Sequence, residues 1–192
     1  MLTIAWDVDD VLNDFTRVWF ETVWRPRHPE CRLSYEDLRS NPPHEQLGIT
    51  RDEYLSSLDE FRHSRYLTDL QPLPEALSWF EKNGARHRHI ALTAAPLRCA
   101  PVSAAWTLRH FGRWIRGFHV VPSSRQDESI PEYDQSKRDF ISRSEDISLL
   151  VEDHPANINA AADLGIQVVL MPRPWNSAAR SISAVFRDLE NL

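Results

Sequence analysis

The chain has 192 residues, of which 42% are hydrophobic, and a formal net charge of −6 at pH 7. This length suits one domain of ordinary size with room for an insertion. The negative charge argues against a broad phosphate-backbone footprint, so we expect no polymeric nucleic acid as a partner. The two cysteines lack the number and spacing of a disulfide framework or zinc site. No apolar run approaches membrane-spanning length, so we expect no membrane association and a cytoplasmic location.

The first strand is predicted at the start of the chain, where residues 2–6 form a short apolar run without helical spacing. Acids follow it at once, led by Asp7 and Asp9. Two carboxylates about 4 Å apart repel by roughly 4 kcal/mol at an effective dielectric of about 20. They would therefore favour a cation or a proton between them. Two interpretations remain open from this spacing: a metal-assisted acid pair, or a solvated turn with an aspartate capping the next helix.

A helical insertion is predicted after this strand. Residues 15–24 carry apolar side chains at amphipathic-helix spacing. Between residues 25 and 70 there is no strand-like run, whereas Ser34 and Thr50 each precede an acid by three residues, as in a capping box. We therefore expect a small helical segment over residues 16–70, inserted into a domain made of residues 1–15 and 71–192.

The rest of the chain alternates between strand and helix patterns. Helices are predicted at 74–83, 101–111, from 136, at 155–164 and at 178–189, and strands at 87–92, 118–121, 147–151 and 166–171. This alternation predicts right-handed crossovers. The predicted fold class is α/β, with a Rossmann-like parallel sheet of about five strands covered by helices on both faces.

Polar residues follow three of the predicted strands. In an open parallel sheet the carboxyl ends of the strands share one edge, where ligands bind. We therefore expect one crevice to hold Asp7, Asp9, Thr93, Glu152 and Asp153. Lys137 begins a predicted helix, which is an unfavourable position for a cation unless an anion lies nearby.

These residues carry a resemblance to a known family. They resemble the four motifs of the haloacid dehalogenase-like hydrolase superfamily. In chain order the motifs are Asp7 with Asp9, Thr93, Lys137, and Glu152 with Asp153. The blocks at 7–15, 70–74, 93–96, 106–112 and 149–153 are similar to those of its 5′(3′)-deoxyribonucleotidase family. The resemblance implies a Mg²⁺-dependent phosphomonoester hydrolase that acts on a small phosphorylated substrate, a deoxyribonucleoside monophosphate, with residues 16–70 as a helical cap.

The same resemblance implies a role for each motif residue. Asp7 would be the nucleophile that forms an aspartyl-phosphate, and Asp9 would act as general acid and then as general base. The carboxylates of Asp7 and Asp153 and the backbone carbonyl of Asp9 would bind Mg²⁺.

Three further residues complete the implied site. Thr93 would hydrogen-bond a phosphoryl oxygen, and Lys137 would neutralise developing charge. Glu152 would orient Lys137 or a metal-bound water.

Substrate contacts are also implied by the resemblance. Phe15 matches a position where the nucleotidases stack the base, and Tyr66 is a second candidate. Ala94 stands where that family has a serine, so one phosphate contact is either missing or supplied by Arg98. Alternatively, Arg98 is an exposed arginine at a helix start and has no role in binding phosphate. The acidic segment 122–135 is a solvated loop or part of a partner surface.

Two other functions remain open at this stage. The same chemistry could act on a sugar phosphate or another small phosphomonoester. Alternatively, the chain could be a non-catalytic phosphate-binding or signalling module, since two-component receiver domains also place acids, a threonine and a lysine at strand ends. The motif order and the helical insertion argue against a receiver domain. The apolar face of the insertion could serve a homodimer as well as a lid.

Overall fold

A computed structural model describes residues 1–123, 131, 133–176 and 178–192 of the chain. Within these residues five strands form one sheet in the order β3-β2-β1-β4-β5, and every neighbouring pair is parallel. The strands are β1 (Thr3–Trp6), β2 (Arg88–Thr93), β3 (Ile115–Val120), β4 (Ile147–Glu152) and β5 (Gln167–Leu170). The predicted five-stranded parallel sheet is therefore confirmed.

The helical segment, residues 16–70, lies between β1 and β2 in the chain. Its helices are α1 (Phe15–Trp19), α2 (Arg25–Arg27), α3 (Arg51–Arg62) and α4 (Arg65–Asp69), and a π-helical turn at Phe20–Trp24 follows α1. The capping box at Thr50 is present: its side chain accepts a hydrogen bond from the Glu53 backbone N–H, and the Glu53 carboxylate accepts one from the Thr50 N–H. The second predicted capping box, at Ser34, begins a short 3₁₀ helix.

Helices cover both faces of the sheet, as predicted. The remaining helices are α5 (Pro74–Asn83), α6 (Ala100–Phe111), α7 (Lys137–Arg143), α8 (Pro155–Ala162) and α9 (Ile182–Leu189). The larger hydrophobic core joins Ile4 and Trp6 of β1 to side chains of α5, α6 and α9. The smaller core joins Ala5 to Ile141 of α7 and Ala161 of α8. Because successive residues of a strand point to opposite faces, β1 contributes to both cores.

Some element boundaries differ from the prediction. Strand β3 begins at Ile115 rather than at residue 118, because Ile115 and Gly117 already pair with β2. Arg116 and Gly117 interrupt the apolar pattern, and the register shifts between the two paired positions. The last helix begins at Ile182 rather than 178, where the Ser181 side chain accepts a hydrogen bond from the Ala184 N–H. Such a cap determines where a helix starts more strongly than the apolar pattern does.

Two further predictions concern membrane-spanning helices and the acidic segment 122–135. Among them, no helix combines the length and the hydrophobicity needed to cross a lipid bilayer. Most of the predicted acidic segment 122–135, namely 124–130 and 132, lies outside the described residues.

Candidate active site

The predicted crevice exists as a cavity of about 230 Å³ at the carboxyl edge of the sheet. Strand β1 leads into Asp7, β2 ends at Thr93, and β4 ends at Glu152, which Asp153 follows. Because the strands are parallel, these termini share one edge. All the predicted catalytic and metal-binding residues line the cavity, namely Asp7, Asp9, Thr93, Lys137 and Asp153, together with Glu152.

Lys137 is a buried cation in this cavity. Its Nζ lies 2.7 Å from Asp7 Oδ1 and 2.6 Å from Glu152 Oε2. Burial alone disfavours the ammonium ion, but the two carboxylates outweigh it and raise the pKa of Lys137 above its ordinary value. Its position at the first residue of α7 is therefore explained by neighbouring anions, as the sequence suggested.

Glu152 is fully buried and accepts hydrogen bonds from four donors. Its Oε1 accepts from the backbone N–H groups of Asp153 and His154, at 3.1 and 3.0 Å. Its Oε2 accepts from Lys137 Nζ and from Asn157 Nδ2, the latter at 3.2 Å. Burial acts to raise the pKa of Glu152, but Lys137 outweighs it and the pKa is lowered. A carboxylate engaged in this way positions Lys137 and the loop after β4.

Three buried acids lie close enough together to hold a cation. One carboxylate oxygen each from Asp7, Glu152 and Asp153 lies within 4.8 Å of the other two. Burial and then the charge of Glu152 raise the pKa of Asp7 to about 8. Burial, followed by the charges of Glu152 and Asp7, raises the pKa of Asp153 well above its ordinary value. With all three carboxylates ionised, the single Lys137 ammonium leaves a net charge of −2, so this oxygen-rich site fits a divalent metal such as Mg²⁺.

A turn after β5 holds Asp153 in place. Trp175 Nε1 donates to Asp153 Oδ2 at 2.9 Å, and Asn176 Nδ2 donates to the Asp153 carbonyl at 2.8 Å. Neither of these two hydrogen bonds involves the other carboxylate oxygen, Asp153 Oδ1. Donors behind a carboxylate fix its orientation, as the outer partners of metal-binding carboxylates do.

Asp9 contacts the helical segment rather than the acid cluster. Arg62 Nη2 of α3 donates to Asp9 Oδ2 at 2.9 Å, and the Arg62 guanidinium lies 4.4 Å from the centre of the Phe15 ring. Phe15 is buried and meets Phe61 edge-on, with ring centres 5.0 Å apart. Phe15 lines the cavity, but its ring is covered by Arg62 and Phe61.

The loop after β1 is shaped by Asp10 and Arg173. Asp10 has a φ of 61°, a left-handed conformation that aspartate tolerates better than most residues, and its Oδ1 accepts from the Thr16 N–H at 3.0 Å. Arg173 Nε donates to the Asp10 carbonyl at 2.7 Å and Nη2 to the Asn13 carbonyl at 3.0 Å. Arg173 also pairs with Asp14. These bonds attach the loop that carries Asp7 and Asp9 to the loop after β5.

We expect Arg173→Met to destabilise the protein by roughly 2 to 4 kcal/mol, because it leaves two buried carbonyls and a carboxylate without their donor. The measurement is urea unfolding. Arg180→Met is the control, since Arg180 is half exposed and pairs with Asp188 on the surface. Equal losses in the two variants would contradict a structural role for the Arg173 bonds.

Of the other three predicted substrate contacts, one lines the cavity and two do not. Ala94 is exposed and lines the cavity. Arg98 Nη2 lies 2.6 Å from Asp59 Oδ2 of α3, and Arg98 is outside the described cavity lining. Tyr66 of α4 is 38% exposed, stacks on Phe61 with ring centres 6.3 Å apart, and is also outside that lining. Their roles as substrate contacts stay predictions.

Sequence reasoning missed Arg62, Arg173 and Asn157. One signal for Arg62 was available: it follows Tyr54, Leu58 and Phe61 on the apolar side of α3, where a charged residue is unusual. Arg173 lies between two prolines and Asn157 in the first turn of α8, and neither carries a local pattern that indicates the site.

No protein-family model matches the sequence, and no curated protein is significantly similar to it. Solved structures do match the fold. A haloacid dehalogenase-like hydrolase from Streptococcus pneumoniae has a TM-score of 0.65 and 14% identity over 97% of this chain and 91% of its own. A structure described as a predicted phosphatase from Clostridium acetobutylicum has a TM-score of 0.63 and 11% identity, covering 100% and 99%.

A further neighbour was solved with ligands. It is a HAD family hydrolase from Deinococcus radiodurans with bound phosphate and sodium, with a TM-score of 0.54 and 16% identity over 96% of this chain and 86% of its own. Identities this low establish the architecture rather than the activity. The chain therefore has the fold of the haloacid dehalogenase-like hydrolases.

Proposed function

We propose that the chain is a Mg²⁺-dependent phosphomonoester hydrolase that forms an aspartyl-phosphate on Asp7, and that its substrates are deoxyribonucleoside monophosphates. One observation carries the reaction type: Asp7 shares a buried cavity with Lys137, Asp153 and Asp9 at the end of β1. The fold shared with hydrolases and phosphatases supports the same reaction type.

The metal would be held by oxygen ligands, which Mg²⁺ prefers. The carboxylates of Asp7 and Asp153 and the backbone carbonyl of Asp9 would supply them. Glu152 is left out of this set because its oxygens already accept four hydrogen bonds. When bound, Mg²⁺ would offset the negative charge of the phosphoryl group.

The reaction would proceed in two displacements at phosphorus. First, an Asp7 carboxylate oxygen attacks phosphorus, the P–O ester bond breaks, and the leaving oxygen takes a proton from Asp9. Then Asp9 accepts a proton from water, the water oxygen attacks phosphorus, and the bond to Asp7 breaks. Inorganic phosphate leaves, Asp7 is a carboxylate again and Asp9 is again protonated.

Electrostatic stabilisation would come from the groups around Asp7. A phosphate dianion and an ionised Asp7 carry −3, and Lys137 together with a divalent metal carries +3. Thr93, buried at the end of β2, would donate its hydroxyl to a phosphoryl oxygen. Phosphoryl transfer depends mainly on such positioning and charge stabilisation.

The helical segment would act as a cap over this reaction. Tyr54, Leu58 and Arg62 of α3 line the cavity together with the residues at the strand ends. Closing a site with apolar and hydrogen-bonded side chains excludes bulk water and strengthens electrostatic interactions inside.

The leaving group would occupy an adjoining cavity of about 380 Å³, a volume within the range of small-molecule sites. The two cavities share eight lining residues, Asn41, Tyr54, Leu58, Arg62, Ala94, Lys137, His154 and Asn157. The choice of a deoxynucleotide rests on the sequence blocks that resemble deoxyribonucleotidases.

A sugar phosphate is the second candidate substrate. The adjoining cavity is also lined by Ser123, Gln135 and Ser136, whose polar side chains suit a leaving group with several hydroxyls.

We expect purified protein to release phosphate from deoxyribonucleoside monophosphates only when Mg²⁺ is present, because the acid cluster needs a cation before it can accept a dianion. The assay compares deoxy- and ribonucleoside monophosphates, sugar phosphates and phenyl phosphate, each with Mg²⁺ and with EDTA. Preference for sugar phosphates would contradict the nucleotidase assignment alone. No release from any substrate would contradict the phosphatase assignment.

A further inference from the structure

Arg62 is a buried arginine of the helical segment that reaches the candidate catalytic residues. It is 8% exposed, lies on α3, and its Nη2 donates to Asp9 Oδ2 at 2.9 Å. Its flat face rests on Phe15. The helical segment therefore contributes a guanidinium group directly beside the residue that would protonate the leaving group.

The hydrogen-bonding capacity of Arg62 is largely unused. Within the part of the chain that the structure describes, Nε and Nη1 are buried and donate no hydrogen bond. Nη1 lies 3.5 Å from Asp59 Oδ1, and Asp59 is itself paired with Arg98 at 2.6 Å. Buried donors of a charged group are costly to leave unpaired. Nη2, the nitrogen that bonds Asp9, carries a second N–H, and this is the donor that a ligand in the cavity would meet.

The position of Arg62 specifies which part of a ligand it would meet. Arg62 lines both the cavity around Asp7 and the adjoining one. In the proposed mechanism the phosphoryl group lies at Asp7 and the leaving oxygen at Asp9. Because Arg62 contacts Asp9 directly, the atoms attached to the leaving oxygen would lie next to its guanidinium.

Resting on the proposed function, we propose that Arg62 is a specificity-determining residue that donates a hydrogen bond from Nη2 to an oxygen atom of the leaving group. It selects phosphomonoesters whose alcohol carries acceptor oxygens near the ester, such as the ring oxygen and hydroxyl of deoxyribose, over esters without them. A guanidinium nitrogen suits this task because it carries two N–H groups, so Nη2 can bond Asp9 and a ligand oxygen at the same time.

The test compares two substrates in matched variants. n-Butyl phosphate releases an alcohol, as a nucleotide does, but its leaving group has no oxygen beyond the ester oxygen, whereas that of a deoxyribonucleoside monophosphate has several. Arg62→Gln also removes the bond to Asp9, so kcat/KM should fall on both esters. The fall should be roughly 10- to 100-fold larger on the nucleotide, the effect of losing a charged hydrogen bond to the leaving group. Arg62→Lys, which keeps the charge with a less suitable donor geometry, should fall between wild type and Arg62→Gln on the nucleotide.

Arg65→Gln is the matched control, since Arg65 also belongs to the helical segment but lies outside both cavity linings. It should leave both substrates unaffected. Equal losses on both substrates in Arg62→Gln, or no loss on either, would overturn the specificity role. If wild-type protein prefers a sugar phosphate, that ester replaces the nucleotide in the same comparison. Inactive wild-type protein would instead overturn the proposed function, and this inference with it.

Discussion

Asp7→Asn should reduce phosphate release by roughly 10⁴-fold or more, because the amide cannot attack phosphorus and no aspartyl-phosphate can form. The fold should persist, with a melting temperature within about 3 °C of wild type. Asparagine keeps the size and shape of the aspartate side chain, and Lys137 keeps Glu152 as a partner.

The experiment measures phosphate release, thermal unfolding and intact mass of the same preparations. The mass excludes deamidation of the introduced asparagine back to aspartate, which would restore activity. Asp163→Asn is the control, since Asp163 is an exposed acid at the end of α8. Substantial turnover by Asp7→Asn of verified mass would refute Asp7 as the nucleophile.

Lys137→Met should both destabilise the protein and inactivate it. Removing the ammonium leaves the buried carboxylates of Asp7 and Glu152 without their shared partner, which typically costs about 3 to 5 kcal/mol. Loss of a charge-stabilising donor should lower kcat by roughly 10² to 10³-fold. Urea unfolding and phosphate release measure the two effects separately.

A second substitution distinguishes these two effects. Adding Glu152→Gln to Lys137→Met removes one of the two unpaired charges, so part of the lost stability should return while activity stays low. Lys82→Met is the control, since Lys82 is an exposed lysine in the last turn of α5. If the double variant is no more stable than Lys137→Met, the unpaired charge of Glu152 does not account for the destabilisation.

Local patterns were sufficient to predict the fold class. The apolar runs of β1, β2 and β4 each stop at a polar residue that lines the cavity, namely Asp7, Thr93 and Glu152. The predicted β3 begins three residues late because Arg116 and Gly117 break its apolar pattern, although the strand already pairs with β2 at Ile115 and Gly117. Hydrophobicity identifies buried strands well, but it describes an edge strand less completely.

Lys137 shows how a single residue can indicate a site. A lysine at a helix start conflicts with the helix dipole, and the structure explains the conflict by two carboxylates less than 3 Å from its Nζ. The sequence around Arg98 contains no such conflict with a helix dipole. In the structure Arg98 forms an ion pair with Asp59. Its partner depends on how α3 packs beside the loop after β2.

The sequence by itself determined the order of the elements and the acids at the strand ends, because apolar periodicity and helix caps act over a few neighbouring residues. Only the tertiary structure decided that Arg62 meets Asp9 and that Arg173 holds the loop after β1. These contacts join residues 53 and 163 positions apart, respectively. Such pairs depend on how a helix and a loop pack against the sheet, and no local pattern in the chain encodes that packing.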